Sequence, residues 1–155
     1  MDKDNFIKTE LSKNVSLIIS AVENLKRSQL ICDKLWKTKN EFDFEELNQF
    51  EALCSRFARL SDIYTQKLLK PVFILLKEDV TLFLDRVNMG EKIGFITNSE
   101  DIKRIRTLRN NIAHDYLMDD YKEIFEKVLI LSPILVQEID KIVDFLIIRQ
   151  FIDSK

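Results

Sequence analysis

The sequence predicts an all-α protein, a bundle of four or five helices formed by a single domain over residues 1–155. Only two glycines and two prolines occur in the chain, which leaves little material for the tight turns that join β-strands. Apolar residues make up 46% of the chain and recur at helical spacing in several long segments. A chain of this size can bury one hydrophobic core and fold without outside help.

The first two predicted helices have the strongest apolar patterns. In the first, Gln29 is the only polar member of a heptad-like stripe whose apolar members are Leu11, Val15, Ile18, Val22, Leu25, Cys32 and Trp36. Asp43 and Glu46 form the Asp variant of a capping box, which predicts the start of a second helix. Because Pro71 lacks an amide donor and disfavours α conformation at Lys70, this helix is expected to kink or end there.

The middle of the chain is predicted as two further helical segments. The first runs from Pro71 to Gly90, where the glycine is expected to supply the left-handed residue that ends a helix. A loop follows, and Thr97 with Glu100 resembles a second capping box. The helix that begins there has a predicted buried face of Ile102, Ile105, Leu108 and Ile112. Residues 115–120 are expected to form its exit.

The C-terminal part is predicted as two helical segments. One starts near Asp120 and buries Ile124, Val128 and Leu131. Ser132 followed by Pro133 predicts the N-cap and first position of a separate last segment that ends near Phe151.

Both N-terminal helices carry apolar residues beside their main stripes. These residues are Leu17, Ile19, Phe42, Phe44 and Phe73. Part of this surface is a candidate contact for a second subunit, and burial within the bundle is the alternative for each residue.

Composition excludes several classes of function. With 24 basic and 26 acidic residues the net charge is -2, so contact with RNA requires a local basic patch. Cys32 and Cys54 have no Cys or His neighbour at metal-ligand spacing, so neither a metal site nor a disulfide framework is expected. No signal-like segment and no run of about 18 apolar residues occurs, which predicts a soluble cytoplasmic protein without membrane contact. Motifs of hydrolases, phosphate-binding loops and zinc enzymes are absent, and no cofactor is expected.

The segment 103–116, KRIRTLRNNIAHDY, has the highest density of reactive side chains. Its fourteen residues include four cations, two amides, a tyrosine and the only histidine of the chain. One interpretation is a solvated basic helix face whose histidine interacts with the helix dipole.

A resemblance to a known family supports a second interpretation. Arg109, Asn110 and His114 fit the R-x4-H pattern of the HEPN superfamily, which has a polar residue directly after the arginine. Tyr116 extends the pattern to R-x4-H-x-Y, and the string RNNIAHDY is similar to that of HepT-like toxins. The resemblance implies a HEPN-type bundle and a metal-independent endoribonuclease toxin. Such enzymes cleave RNA by attack of a ribose 2′-hydroxyl on the adjacent phosphate.

The residue types suit the chemistry that the resemblance implies. His114 can take or give a proton near neutral pH, and Arg109 offers a permanent charge and a planar fork to phosphate oxygens. Asn110 is a supporting residue for the histidine or the phosphate, with an ordinary helix-exit amide as the alternative. Candidates for binding flanking phosphates, with a solvated helix face as the alternative, are Lys103, Arg104 and Arg106.

Helix geometry constrains how this motif can converge. On a continuous helix, Arg109 and His114 are roughly 140° apart and do not share a face. Convergence requires either a looser helix around residues 111–113 or a site assembled across a homodimer, as in HEPN relatives. Arg59 and Asp62 of the second helix are candidate outer partners of this cleft, and pairing within their own helix is the more ordinary alternative.

The resemblance also implies a partner. In toxins of this kind, the tyrosine at the position of Tyr116 is adenylylated by a nucleotidyltransferase antitoxin. Two alternatives stay open: a noncatalytic HEPN module that binds nucleotide or partners a nucleotidyltransferase, and a purely structural helical adaptor. The combination of Arg109, His114 and Tyr116 favours the ribonuclease.

Overall fold

The computed structural model describes residues 2–115 and 121–154, and within these ranges every regular element is helical. The helices are α1 (Lys3–Thr38), α2 (Phe44–Ile63), α3 (Lys70–Leu75), α4 (Phe83–Ile93), α5 (Ser99–Asp115) and α6 (Tyr121–Ile148). A π-helical turn, Tyr64–Leu69, joins α2 to α3 without a break, so these three elements form one rod. The described ranges thus contain five helical rods, and the predicted all-α bundle is confirmed. In these ranges no helix has the length and apolar character needed to cross a membrane.

The core is built on the predicted stripe of α1. Its apolar members from Leu11 to Cys32 are all buried, and Trp36 at the end of the stripe is half-buried against Phe42 and Phe50. The predicted capping box also forms: the Asp43 carboxylate accepts the Glu46 amide at 2.9 Å, and the Glu46 carboxylate accepts the Asp43 amide at 3.0 Å. The start of α2 is therefore correctly predicted.

Pro133 lies inside α6, so the predicted N-cap at Ser132 and the separate last helix are wrong. In an α-helix, the amide of residue 133 would donate to the carbonyl of Leu129, four residues earlier. Gln29 of α1 replaces that donor, since its Nε2 donates to Leu129 O at 3.0 Å. The Ser132 hydroxyl donates to Val128 O at 2.6 Å, which is a bond within the helix and not a cap. The helix continues through the proline because a neighbouring helix supplies the missing donor.

Pro71 likewise does not end its rod. At Lys70 the backbone changes from the π turn to α3, and the rod continues to Leu75. The carbonyl that loses its α-helical donor to the proline is that of Lys67. Asn14 of α1 donates to this carbonyl through Nδ2 at 3.2 Å. The disruption expected near Lys70 takes the form of a π turn, and α1 again supplies the donor.

The predicted segment from Pro71 to Gly90 is two helices, α3 and α4, separated where Lys77 adopts a left-handed φ of 60°. Gly90 does not end a helix. The left-handed C-cap of α4 is Gly94, with a φ of 110°. Gly90 instead permits close packing, because a Cβ at this position would lie 2.7 Å from Ile96 Cδ1.

The start of α5 differs from the predicted capping box. The Asn98 Oδ1 accepts the amide of Glu100 at 2.9 Å, whereas the Thr97 amide donates to both carboxylate oxygens of Glu138 on α6 at 3.0 and 3.1 Å. Glu138 is buried, so this contact fixes the beginning of α5 against α6. The predicted buried face of α5 is confirmed in full by Ile102, Ile105, Leu108 and Ile112. The exit predicted for α5 lies mainly at 116–120, outside the described residues.

The apolar residues beside the main stripes have different environments. Phe73 is buried, and Ile19 and Phe42 are partly buried against the core. Leu17 and Phe44 are 47% and 74% exposed. Burial within the bundle therefore explains three of the five residues.

We expect Gln29→Leu to lower the free energy of unfolding by about 1 kcal/mol for its hydrogen bond to Leu129 O, in addition to the cost of losing its bond to Asp33, which is the same in both backgrounds. In a Pro133→Ala background, the restored amide can donate to Leu129 O, so the same change should cost less. Chemical denaturation of all four proteins in a double-mutant cycle measures this coupling. Equal costs in the two backgrounds would show that Gln29 does not replace the missing amide.

Candidate functional site

Arg109 of α5 is held by Asp62 of α2. Its Nε and Nη2 donate to the two carboxylate oxygens at 2.7 and 2.9 Å. The hydrogen bond to Asp62 raises the pKa of Arg109, so the guanidinium stays cationic. This side-on pairing fixes the plane of the guanidinium and leaves Nη1 without a hydrogen bond to any residue in the described ranges.

The same ion pair decides between the two interpretations of α2. Asp62 does not pair with Arg59 in its own helix but reaches across to α5. Arg59 is exposed and makes no ion pair with the part of the chain that the structure describes. Asp62 is therefore a direct partner of Arg109, and the alternative of pairing within α2 does not hold for it.

Arg109 stands between two hollows of the surface. The larger, about 870 Å³, lies along α1, α2 and the π turn, and we call it the α1–α2 groove. Its lining residues are Leu17, Ser20, Ala21, Asn24, Arg56, Ala58, Arg59, Asp62, Ile63, Gln66, Lys67 and Arg109. The smaller hollow, about 100 Å³, lies toward α4 and contains Arg86, Arg106 and Asn110. Asp62, Gln66 and Arg109 line both hollows and join them.

His114 is exposed near the end of the described part of α5. Because α5 is unbroken from Ser99 to Asp115, the looser helix expected around residues 111–113 does not occur. Arg109 and His114 are thus roughly 140° apart around the helix axis. His114 lines neither of the two hollows beside Arg109. Within one copy of the chain, the structure does not bring the two motif residues to one cleft.

The supporting residue Asn110 and the cation Arg106 both lie on the Arg109 side of α5. Asn110 is exposed and lines the smaller hollow. The Arg106 guanidinium lies 4.1 Å from the centre of the Phe83 ring, in the geometry of a cation–π contact. This contact uses the flat face of the guanidinium and holds Arg106 beside the smaller hollow. The N–H donors lie around the edge of the guanidinium plane.

Lys103 and Arg104 lie in a different environment from Arg109. Each forms an ion pair on α5, with Glu100 at 2.9 Å and Asp101 at 2.8 Å respectively. Both line a separate hollow between α5 and α6. The cations predicted from the segment 103–116 therefore do not form one patch.

The basic residues of α2 and the π turn are not identified as a group by the sequence analysis. Arg56, Arg59 and Lys67 have positions i, i+3 and i+11, which places them near one face of a helix. Of these three cations, only Arg59 is named in the sequence analysis, because acidic and apolar residues lie between the three along the chain. The packing of α1 beside α2 turns this face into the wall of a groove.

Thiol chemistry does not contribute to the site. Cys32 and Cys54 are both buried in the core, and burial raises the pKa of each thiol to about 12. A thiolate nucleophile is therefore not present at neutral pH. In residues 2–115 and 121–154, no group of three or more His, Cys, Asp or Glu side chains is placed to hold a metal ion.

Fold and site together define a helical bundle whose Arg–Asp pair borders a basic groove. No family model matches the chain, and neither a curated protein nor a solved structure matches it. The HEPN resemblance thus stays an expectation that rests on the sequence motif between Arg109 and Tyr116. Tyr116 itself lies outside the described residues.

Proposed function

We propose that this chain is a metal-independent endoribonuclease, the toxin of a HEPN and nucleotidyltransferase toxin–antitoxin pair, acting in the cytoplasm. The observation that carries the proposal is Arg109, a permanent cation held by Asp62 at the edge of a basic groove. Its Nη1 edge has the donor geometry that a phosphate oxygen requires. The motif partner His114 is exposed on the same helix.

In the proposed reaction, His114 takes the proton of a ribose 2′-hydroxyl, whose oxygen attacks the adjacent phosphorus. Arg109 stabilises the negative charge that grows on the non-bridging oxygens. The bond from phosphorus to the 5′-oxygen breaks, that oxygen takes a proton from water, and His114 returns its proton to the solvent. The products are a 2′,3′-cyclic phosphate and a 5′-hydroxyl end.

The proposed site is composite and belongs to a homodimer. Because α5 is unbroken, His114 is turned away from the Arg109 of its own copy. In a twofold dimer, a surface that includes one copy's His114 can face the other copy's Arg109. The exposed Phe44 provides apolar surface that a second copy can cover.

We expect the purified protein to cleave RNA in the presence of a chelator, and His114→Ala to abolish the cleavage because the proton acceptor is lost. Arg109→Ala should cost roughly 3 kcal/mol of transition-state stabilisation, a rate loss of about a hundredfold. Gel assays with end-group analysis should detect cyclic phosphate and 5′-hydroxyl ends. Strict dependence on a divalent metal, or full activity of His114→Ala, would contradict the mechanism.

The composite site can be tested by mixing two inactive proteins. In a heterodimer of Arg109→Ala with His114→Ala, one of the two sites would have both an intact arginine and an intact histidine. An equilibrated equimolar mixture should therefore regain about a quarter of the wild-type activity. Light scattering at micromolar concentration should show a dimer. An active monomer, or no recovery from a mixture shown to exchange subunits, would refute the composite site.

Asp62 is expected to act as a positioning residue. Asp62→Asn removes a negative charge from the groove but also loses one acceptor for Arg109, so RNA should bind no more weakly while turnover falls about tenfold. Steady-state kinetics should show a lower kcat without a higher KM. The matched control is Asp4→Asn, which breaks a partly exposed ion pair to Lys77 elsewhere in the bundle and should change neither constant. Equal effects of the two variants would reject a specific role for Asp62.

The Asp62–Arg109 pair is also the observation that favours a second candidate function. The carboxylate occupies two of the guanidinium donors and offsets its charge. A noncatalytic module that binds nucleotide or partners a nucleotidyltransferase would be compatible with such a paired arginine. Under this alternative, RNA remains uncut in the chelator assay, while the protein still forms a complex with its partner.

The proposed control of the toxin is adenylylation of Tyr116 by a nucleotidyltransferase antitoxin. The phenolic oxygen would attack the α-phosphorus of ATP and release pyrophosphate, which leaves a negatively charged phosphodiester near the motif. Such a group would repel an RNA phosphate and silence the nuclease. After incubation with partner and ATP, mass spectrometry should find the added nucleotide on Tyr116. Modification of Tyr121 instead, or full neutralisation of Tyr116→Phe by a catalytically active partner, would overturn this assignment.

A further inference from the structure

The α1–α2 groove is basic although the whole chain has a net charge of -2. Four cations line it: Arg56, Arg59, Lys67 and Arg109. Among the residues that the structure describes, the only carboxylate in the lining is Asp62, which is already paired with Arg109. The groove therefore presents an excess of positive charge to any ligand that enters it. Such a local patch attracts anions even on an acidic protein.

The cations of the groove are available to a ligand. Arg59 and Lys67 are exposed, and within the described ranges neither forms an ion pair. Arg56 donates through Nη1 to the hydroxyl of the buried Ser28, which fixes its position at the groove. These cations contrast with Lys103 and Arg104, whose charges are offset by carboxylates on the same helix.

The arrangement of the cations fits an extended ligand. Arg56 and Lys67 are eleven residues apart along one rod, a rise of roughly 16 Å. This length is more than one phosphate group needs. Beyond Arg109, the smaller hollow continues the basic surface with Arg86 and Arg106. A chain of phosphates can thus contact cations on both sides of Arg109.

Other groups in the groove favour single-stranded over double-stranded nucleic acid. Asn24 and Gln66 present side-chain amides, which can bond with the edges of bases. Leu17 and Ala21 present apolar surface, which can contact the faces of unstacked bases. A duplex hides both the faces and most of the edges of its bases. A single strand can therefore use every kind of group in the groove.

We propose that the α1–α2 groove binds the backbone of single-stranded RNA, with Arg59 and Lys67 as phosphate contacts, and leads the strand to Arg109. This inference deepens the proposed nuclease function by assigning the form and path of its substrate. It rests on that function only for the identity of the polymer as RNA.

The test measures binding separately from cleavage. A fluorescent single-stranded oligonucleotide with 2′-O-methyl riboses has no free 2′-hydroxyl to attack, so its anisotropy reports binding alone. The double variant Arg59→Gln with Lys67→Gln should bind about tenfold more weakly at low salt, and its salt slope should fall by about 1.4, or about 0.7 per lost phosphate contact. The matched control is Lys141→Gln with Arg149→Gln, which removes the same two charges eight residues apart outside both hollows. This control should keep the wild-type affinity and slope.

Several outcomes would overturn the proposal. One is an equal loss of oligonucleotide affinity in the groove and control variants. Another is an equal loss of affinity in the double variant Lys103→Gln with Arg104→Gln. A third is a duplex that binds as tightly as the single strand. Competition by ATP at the same molar concentration as the strand would indicate a mononucleotide pocket and also reject it. If wild-type protein cleaves RNA but the groove variant binds normally, the groove fails and the nuclease stands. If the groove variant alone loses binding but no protein cleaves RNA, the groove stands and the nuclease fails.

Discussion

Two side-chain amides of α1 bond to the carbonyls that the prolines of two other rods leave without an α-helical donor. Each of the two prolines lies within a helical rod and removes one backbone donor. Gln29 donates to the carbonyl freed by Pro133, and Asn14 donates to the carbonyl freed by Pro71. Since these amides lie fifteen residues apart, about 22 Å along α1, they hold two rods in register against the same helix. The position of Lys67 in the groove follows from the second contact, because Asn14 binds its backbone.

The Asp62–Arg109 pair has a different role from these structural amides. It is partly exposed, at 31% for the arginine side chain and 50% for the aspartate, so water screens it and it adds little to stability. Its effect is orientation: the carboxylate holds one edge of the guanidinium and directs the other outward. A contact of small energetic worth can therefore determine where a cation is available to a ligand.

The parts of the fold that depend on local pattern were predictable from the sequence. The stripe of α1, the Asp43 cap and the buried face of α5 all follow from spacing along a single helix. Two of the wrong predictions share another cause, since each depends on a residue distant in sequence. Pro133 is tolerated because of Gln29, and Thr97 bonds to Glu138 rather than to its own helix. Local rules for proline and capping cannot include these donors and acceptors.

For the candidate site as well, residues on one helix were predictable from the sequence, whereas contacts between helices were not. The segment 103–116 identified Arg109 and Asn110, which the structure places at joined hollows with Arg106. Asp62, 47 residues from Arg109, was foreseen only as one of two alternatives. The groove forms only because α1 packs beside α2. The spacing of Arg56 and Lys67 predicts that these two cations share a face, but it does not predict which helix lies next to that face. The π turn between α2 and α3 also sets the phase of α3 relative to α2. A π turn holds about one residue more than an α-helix uses for the same angle, so deleting one residue from Tyr64–Leu69 would return the turn to α geometry and leave Phe73 facing the core. The loss of one residue is therefore tolerated better in this turn than elsewhere in the rod.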